Sequence, residues 1–157
     1  MQEIERKFLV SSMDFKEEAF RRQKLKQGFL SVDPARTVRV RVVEDHGYLT
    51  IKGKAKEEGI SRFEWERELS LEEAEALYDL CLPGKIEKTR YFVRYGNHLV
   101  EVDEFHGDNK GLLIAEIELK SEHESYPKPL WLGEEVTGQP RYYNSQLSQH
   151  SYKDWDD

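Results

Sequence analysis

Residues 37–43 read TVRVRVV, and residues 48–54, which follow a short turn, read YLTIKGK. In both stretches charged or polar side chains alternate with apolar ones, which is the pattern of a strand with one polar and one apolar face. Two such strands joined by a tight turn predict an antiparallel hairpin. The alternation also places Arg39 and Arg41 on one face of the first strand.

The same alternation recurs along most of the chain. Further strands are predicted at Met1–Val10, Gln27–Ser31, Ser61–Leu69, Lys85–Arg94, His98–Phe105 and Leu112–Lys120. Helices are predicted at Met13–Lys26, Ser70–Cys81 and Arg141–Gln149. The pattern therefore indicates one α+β domain, mainly antiparallel β, over residues 1–150, followed by a loose tail at 151–157.

The composition indicates a folded domain with an unusual amount of charge. Charged residues make up 35% of the chain, against roughly 25% in typical globular domains. The net charge of −7 disfavours non-specific binding to nucleic acid or to an anionic membrane. The single cysteine excludes an intramolecular disulfide framework. We see no signal peptide and no membrane-spanning apolar run, so we expect a cytoplasmic protein.

Charged side chains of one sign recur in pairs on the polar faces of the predicted strands. A solvated face on each separate strand would explain any one of these pairs. Like charges on neighbouring positions of one face repel, however, and the pairs recur on almost every strand. A closed barrel would bring all these faces into one common interior.

The types of charged group indicate what such an interior would bind. Side chains two residues apart on a strand lie about 6.5–7 Å apart, so pairs of arginine and lysine could hold several phosphoryl groups. Pairs of glutamates offer hard oxygen ligands that suit Mg²⁺ or Mn²⁺. A polyanion bound together with a divalent metal would neutralise both sets, and this is the chemistry of metal-assisted phosphoanhydride hydrolysis.

The opening motif ExExK, at residues 3–7, and the charged segments that follow it in order resemble the CYTH superfamily, also called triphosphate tunnel metalloenzymes. The matching segments are QGFL at 27–30, VRVR at 38–41, LTIKG at 49–53, FEWE at 63–66, EKTRY at 87–91, VEVDEF at 100–105, AEIEL at 115–119 and GEEVTGQPRYYN at 133–144. The last of these resembles the C-terminus of the short bacterial members. The resemblance implies a closed eight-stranded antiparallel β-barrel, or tunnel, with flanking helices.

The resemblance also implies a role for each set of charged residues. The implied metal ligands are Glu3, Glu5, Glu116 and Glu118. The implied triphosphate contacts are Lys7, Arg39, Arg41, Lys52, Lys88 and Arg90. The implied catalytic residues are Lys7 and Glu5. Residues that would position a second metal or a water, or else form internal salt bridges, are Glu64, Glu66 and Asp103.

The chain departs from the family pattern at Phe29. Short bacterial members often carry QGYL there, and the tyrosine hydroxyl is regarded as the partner of the lysine in ExExK. Phenylalanine has no hydroxyl to donate or accept a proton. Lys7 therefore acts without that partner, another group replaces it, or hydrolysis is slow. By chemistry alone, the candidates are Tyr91, Tyr142 and Tyr143.

Three functions stay open at this point. The family includes inorganic tripolyphosphatases and thiamine triphosphatases, so the first is metal-dependent hydrolysis of tripolyphosphate or of a nucleoside or thiamine triphosphate. The second is a class IV-type adenylate cyclase, which would cleave between the α and β phosphates. The third is a weakly catalytic module that binds polyphosphate or nucleotide. Family members are often dimers, so the resemblance also implies a homodimer.

Overall fold

A computed structural model describes residues 2–56 and 60–156 of the chain. The strands are β1 Gln2–Val10, β2 Arg21–Ser31, β3 Arg36–Val43, β4 His46–Gly53, β5 Ser61–Ser70, β6 Ile86–Tyr95, β7 His98–Phe105, β8 Leu113–Glu118 and β9 Leu132–Glu135. The α-helices are α1 Phe15–Glu18, α2 Leu71–Asp79 and α3 Asn144–Leu147. Short 3-10 turns lie at Gly107–Asn109, Pro140–Tyr142 and Tyr152–Asp154.

Strands β1 to β8 form a closed antiparallel barrel. Their order is β5-β4-β3-β2-β6-β7-β8-β1, and the first and last strands also pair with each other, Glu3 opposite Arg62. The ninth strand, β9, pairs with the end of β1. The prediction of a closed eight-stranded antiparallel barrel with flanking helices is confirmed.

The apolar faces of the strands point outward, where other segments cover them. Val100 and Val102 on β7 belong to a cluster that also holds Phe15 of α1 and Trp131. Helix α2 covers another side and is held by a capping box at Ser70. Because the apolar core lies outside the barrel wall, the alternate side chains are left to fill the interior with polar groups.

The predicted helix at Met13–Lys26 is wrong beyond its first turns. Helix α1 has four residues, and β2 begins at Arg21, so the predicted strand at Gln27–Ser31 is only its end. The stretch RRQKLK is rich in helix-forming residues, but helix propensity is a weak prior. Strand β2 pairs with β3 on one side and β6 on the other, and these two ladders outweigh the local preference.

The end of the chain also differs from expectation. The helix predicted at Arg141–Gln149 is shorter, since only Asn144–Leu147 is α-helical after a 3-10 turn. The tail was expected to be loose, yet its described residues, 151–156, pack on the barrel. The backbone N–H of Tyr152 donates to Asn109 Oδ1 at 2.8 Å. Burial of Tyr152 and Trp155 against an apolar cluster is the physical reason.

Met1 of the first predicted strand and Asp157 of the tail lie outside the described residues. In the described part of the chain, no helix has the length and apolar character needed to cross a membrane.

Candidate active site

The barrel interior holds a polar cavity of about 330 Å³, which we call the chamber. Side chains from all eight barrel strands line it, because alternate residues of each strand point inward. The predicted site residues that line the chamber are Glu3, Glu5, Lys7, Arg39, Arg41, Lys52, Glu64, Glu66, Lys88, Arg90, Glu116 and Glu118. The structure therefore brings together, from distant parts of the chain, the charged faces that the alternation defined.

One side of the chamber, which we call the basic wall, is formed by Arg39 and Arg41 of β3 and by Lys88 and Arg90 of β6. Asp103 lies behind this wall. Its carboxylate accepts hydrogen bonds from Arg90 Nε and Nη2 and forms an ion pair with Lys88 Nζ at 2.7 Å. Burial alone would raise the pKa of Asp103, but Arg90 and Lys88 outweigh it and hold that pKa far below its usual range. Asp103 thus forms the internal salt bridges that were one of its two expected roles.

Burial has the opposite effect on the bases of this wall. It lowers the pKa of Lys88 to about 7, even though the charge of Asp103 raises it. It lowers the pKa of Arg41 to about 9, with help from the neighbouring guanidinium groups of Arg39 and Arg90. Clustered cations in a low-dielectric interior favour the entry of an anion, because an anion would relieve their repulsion and desolvation.

Arg39 carries a further sign of an anion-binding wall. Its Nη2 donates to Thr50 Oγ1 at 3.1 Å and lies 3.6 Å from a carboxylate oxygen of Glu66. Its Nε is buried and has no hydrogen-bond partner among the described residues. A buried donor without a partner is costly. A phosphoryl oxygen is the kind of acceptor that would satisfy it.

The acidic wall is formed by β1 and β8, whose register places Lys7 opposite Glu116 and Glu5 opposite Glu118. Burial raises the pKa of Glu5 well above its usual value, and the charges of Glu116 and Glu3 add to the effect. Burial would raise the pKa of Glu116 too, but Lys7, the neighbouring bases and a hydrogen bond from Glu5 bring it well below. Glu5 and Glu116 therefore form an interacting acid pair whose repulsion a bound cation would relieve.

The acid pair of Glu5 and Glu116 is part of the set of carboxylates that could bind a divalent metal. Among residues 2–56 and 60–156, no three His, Cys, Asp or Glu side chains form a ready-made metal cluster. Glu3 instead contacts Lys52 at 2.9 Å and Arg62 at 3.6 Å. The donors still fit a hard cation, since carboxylate oxygens are hard ligands and a divalent ion would offset the repulsion from Glu116 and Glu3 that raises the pKa of Glu5.

The segment Tyr142–Ser145 covers one end of the chamber. Lys7 Nζ donates to the carbonyl oxygen of Tyr142 at 3.3 Å and lies 5.2 Å from the ring centre of Tyr143. Arg62 lies over the same ring at 5.5 Å. Of the three candidate tyrosines, Tyr143 is the one whose side chain lines the chamber.

The other two tyrosines point elsewhere. The Tyr91 hydroxyl donates to Glu104 at 3.2 Å, and its ring packs on Phe15 outside the barrel. The ring of Tyr142 packs edge-on against Trp155. Phe29 lines the chamber while belonging to an apolar cluster at the same end.

Several chamber residues were missed by the sequence predictions. They are Thr37, Thr50, Arg62, Glu101, Asn144 and Ser145. Arg62 and Glu101 share strand faces with Glu64 and Asp103, so the alternation could have identified them. Asn144 and Ser145 lie in the predicted helix at Arg141–Gln149, but a helix prediction does not say where on the barrel that helix packs.

Comparison with known proteins agrees with the fold. The CYTH domain family matches residues 1–152. An inorganic triphosphatase from Acetivibrio thermocellus is 48% identical over 154 residues, covering 98% of this chain and 97% of the relative. An inorganic triphosphatase from Nitrosomonas europaea is 34% identical, covering 94% of this chain and 97% of the relative.

Solved structures show the same architecture. A crystal structure of an inorganic triphosphatase superposes with a TM-score of 0.62 at 31% identity and covers 92% of this chain and 96% of that one. A Pyrococcus horikoshii protein, PH1012, has the same fold, with a TM-score of 0.62 at 22% identity over 76% of this chain and 79% of that one. Since the family match spans nearly the whole sequence, this chain belongs to the CYTH domain family.

Proposed function

We propose that this protein is a divalent-metal-dependent triphosphatase that hydrolyses inorganic tripolyphosphate or the triphosphate of a small molecule. The observation that carries the proposal is the chamber itself, where a wall of bases faces a wall of acids. A chain of phosphoryl groups matches the bases, and a metal matches the acids. The relatives named inorganic triphosphatase support this substrate class.

The basic wall, together with Lys7 and Lys52, would bind the phosphoryl oxygens. The residues assigned to this role are Lys7, Arg39, Arg41, Lys52, Lys88 and Arg90. Arginine offers paired donors that match two phosphoryl oxygens, and a buried lysine offers a compact charge. The buried Arg39 Nε without a partner among the described residues supports this assignment.

The acidic wall would hold Mg²⁺ or Mn²⁺ through Glu3, Glu5, Glu116 and Glu118, with Glu64 and Glu66 available to position a second ion or a water. A bound divalent metal would draw charge from the phosphoryl group and orient the attacking water. Metal binding at Glu5 requires its ionised carboxylate, and a shared divalent cation would offset the charges of Glu116 and Glu3 that raise the pKa of Glu5.

Lys7 and Glu5 would act at the reacting phosphoryl group. Lys7 Nζ lies 3.7 Å from Glu116, between the acidic wall and the segment Tyr142–Ser145. From this position its charge would stabilise the oxygen on which negative charge develops. The ring of Tyr143 also lies near this ammonium, at 5.2 Å from the ring centre, and would take the place of the family tyrosine as a neighbour of Lys7.

The proposal is tested by phosphate release from tripolyphosphate, ATP, GTP and thiamine triphosphate, each with Mg²⁺ and with Mn²⁺. We expect orthophosphate from tripolyphosphate and a loss of at least a hundredfold in Glu5→Gln and Glu118→Gln, since removing one charged transition-state contact costs roughly that much. Glu17→Gln, on the exposed helix α1, is the matched control.

The products separate the three functions. Cyclic nucleotide and pyrophosphate from ATP would identify a cyclase instead. Tight binding of tripolyphosphate without turnover would identify a binding module. Unchanged turnover in Glu5→Gln would contradict the assignment of the acidic wall.

A further inference from the structure

Asn144, the first residue of α3, joins two strands of the barrel through a single atom. Its Oδ1 accepts a hydrogen bond from Gln27 Nε2 of β2 at 2.6 Å and another from Lys88 Nζ of β6 at 2.8 Å. Gln27 is completely buried and Lys88 is 2% exposed. Water cannot replace a lost bond at such sites without cost, so this contact determines where both donors point.

Both donors, Gln27 and Lys88, are connected by further contacts to arginines of the basic wall. The Gln27 side chain uses its Nε2 on Asn144 and accepts at Oε1 from Arg41 Nε, 3.3 Å away. Lys88 also pairs with Asp103, which binds Arg90 through two hydrogen bonds. A continuous chain of contacts therefore runs from the C-terminal segment to three of the bases that face the chamber.

The bases of this wall need such support because they repel each other. Arg39 and Arg41 lie on β3 and Arg90 lies on β6, with β2 between them, and each lowers the pKa of a neighbouring base. Without fixed partners they would turn apart or toward solvent. Binding to phosphoryl groups is strongest when the cations already point to the right place before the anion arrives.

We propose that Asn144 is a positioning residue for substrate binding. It fixes the ammonium of Lys88 and, through Gln27, the guanidinium of Arg41 in the directions from which they contact the phosphoryl groups. The inference rests on the proposed function, since it concerns the same chamber. It makes the segment Tyr142–Ser145 part of the substrate site and not only a cover for one end of the barrel.

A purely structural role is the competing explanation, because Asn144 lies on a segment that packs on the barrel. That segment has other anchors: Tyr142 and Leu147 are buried in an apolar cluster. If Asn144 only anchored the segment, its loss would lower stability and would affect substrate binding through unfolding alone. If it positions the bases, its loss would weaken binding while the fold persists.

The test uses Asn144→Ala in the full-length chain. Binding of tripolyphosphate is measured by calorimetry with divalent metal chelated, kcat and KM are measured with metal, and thermal unfolding is measured without ligand. We expect about tenfold weaker binding, the effect of losing one hydrogen bond to a charged group. KM should rise more than kcat falls, because ground-state contacts are lost. The matched control is Gln149→Ala, an exposed residue just after the same helix.

A second measurement tests whether Asn144 affects tripolyphosphate binding through Lys88. In a double-mutant cycle with Lys88→Met, the two losses in affinity should be strongly non-additive if Asn144 acts through Lys88. Independent, additive losses would overturn the proposal, as would wild-type affinity in a folded Asn144→Ala. If Asn144→Ala does not fold, Gln27→Met provides the test: weaker binding supports the proposal and unchanged binding overturns it.

Different results would overturn the proposed triphosphatase function and the positioning role of Asn144. A wild-type protein that neither binds nor hydrolyses tripolyphosphate overturns the proposed function, and this inference with it. A wild-type protein that binds and hydrolyses tripolyphosphate, with an Asn144→Ala variant that binds equally well, overturns only the role of Asn144.

Discussion

Asp103 and Arg90 form a buried two-point contact, in which Arg90 Nε and Nη2 donate to the two carboxylate oxygens at 2.8 and 2.9 Å. Asp103 is 2% exposed and Arg90 8%. The same carboxylate faces Lys88 at 2.7 Å. One buried anion therefore compensates two buried cations, and the orientation of both depends on it.

Replacing Asp103 with asparagine should lower the free energy of unfolding by about 3 kcal/mol or more, because two buried cations lose their counter-charge. Urea unfolding of both proteins measures the difference. Asp108→Asn is the control, since its ion pair with Lys153 is largely exposed and should contribute less than about 1 kcal/mol. A change of that small size in Asp103→Asn would contradict the structural role of the contact.

Glu5→Gln should separate metal binding from stability. The amide can still donate to Glu116 and removes the repulsion between the two acids, so we expect the ligand-free melting temperature to stay the same or rise. Addition of Mg²⁺ or Mn²⁺ should raise the melting temperature of the wild type and should raise that of the variant much less. Equal metal-induced shifts would contradict the role of Glu5 as a ligand.

Gly47→Ala should strongly destabilise the packing of α2 on β4. An added Cβ would lie 2.5 Å from the carbonyl oxygen of Arg41 and closer still to Cβ of Ala74. Neither neighbour is the mobile end of a long side chain, so we expect a cost of roughly 2–3 kcal/mol. Gly53→Ala on the same strand meets its nearest atom, Phe63 Cβ, at 3.3 Å and should cost much less. Equal melting temperatures for Gly47→Ala and the wild type would contradict the close approach of Gly47 to Arg41 and Ala74.

Trp155→Ala should show that the end of the chain contributes to stability. The indole packs edge-on against Tyr142 and Tyr152, and the guanidinium of Arg141 lies 3.8 Å from its ring centre. For a half-buried tryptophan we expect a loss of about 2 kcal/mol, below the value for a fully buried one. Leu130→Ala is the control, because Leu130 is fully exposed. Equal unfolding midpoints for Trp155→Ala and the wild type would favour a loose tail.

The ring of Tyr143 should matter more than its hydroxyl. The contact to Lys7 is between an ammonium and the ring, at 5.2 Å from the centre, and Arg62 shares it. Tyr143→Leu should therefore reduce tripolyphosphate turnover by about tenfold, the effect of roughly 1.4 kcal/mol, and Tyr143→Phe should reduce it less. A larger loss in Tyr143→Phe would indicate that the hydroxyl takes part in the reaction.

Much of the fold could be predicted because strand faces are a local property. The alternation of valine and arginine at 38–41 determines which side chains share a face whatever the strand pairs with. The same reasoning failed at Arg21–Lys26, where five polar or basic residues and Leu25 form no clear apolar face. There, pairing with β3 and β6 decided the conformation.

Most of the chamber could be predicted for the same reason. Pairs such as Glu3 and Glu5, or Lys88 and Arg90, lie on one strand two residues apart, so their shared direction is visible in the sequence. Tyr143 and Asn144 lie at the start of the short helix α3, and only the docking of this segment on the end of the barrel brings them to Lys7 and Lys88. No periodic pattern could have indicated this.

The sequence by itself determined which side chains face inward, the sign of the charge on each face and the family to which the chain belongs. The tertiary structure alone decided that Asp103 is held within salt bridges, that burial and the charges of Glu116 and Glu3 raise the pKa of Glu5, and that Asn144 contacts Gln27 and Lys88. The physical reason is distance along the chain. Alternation is set within a few residues by backbone geometry, whereas ion pairing, burial and docking depend on residues far apart in sequence.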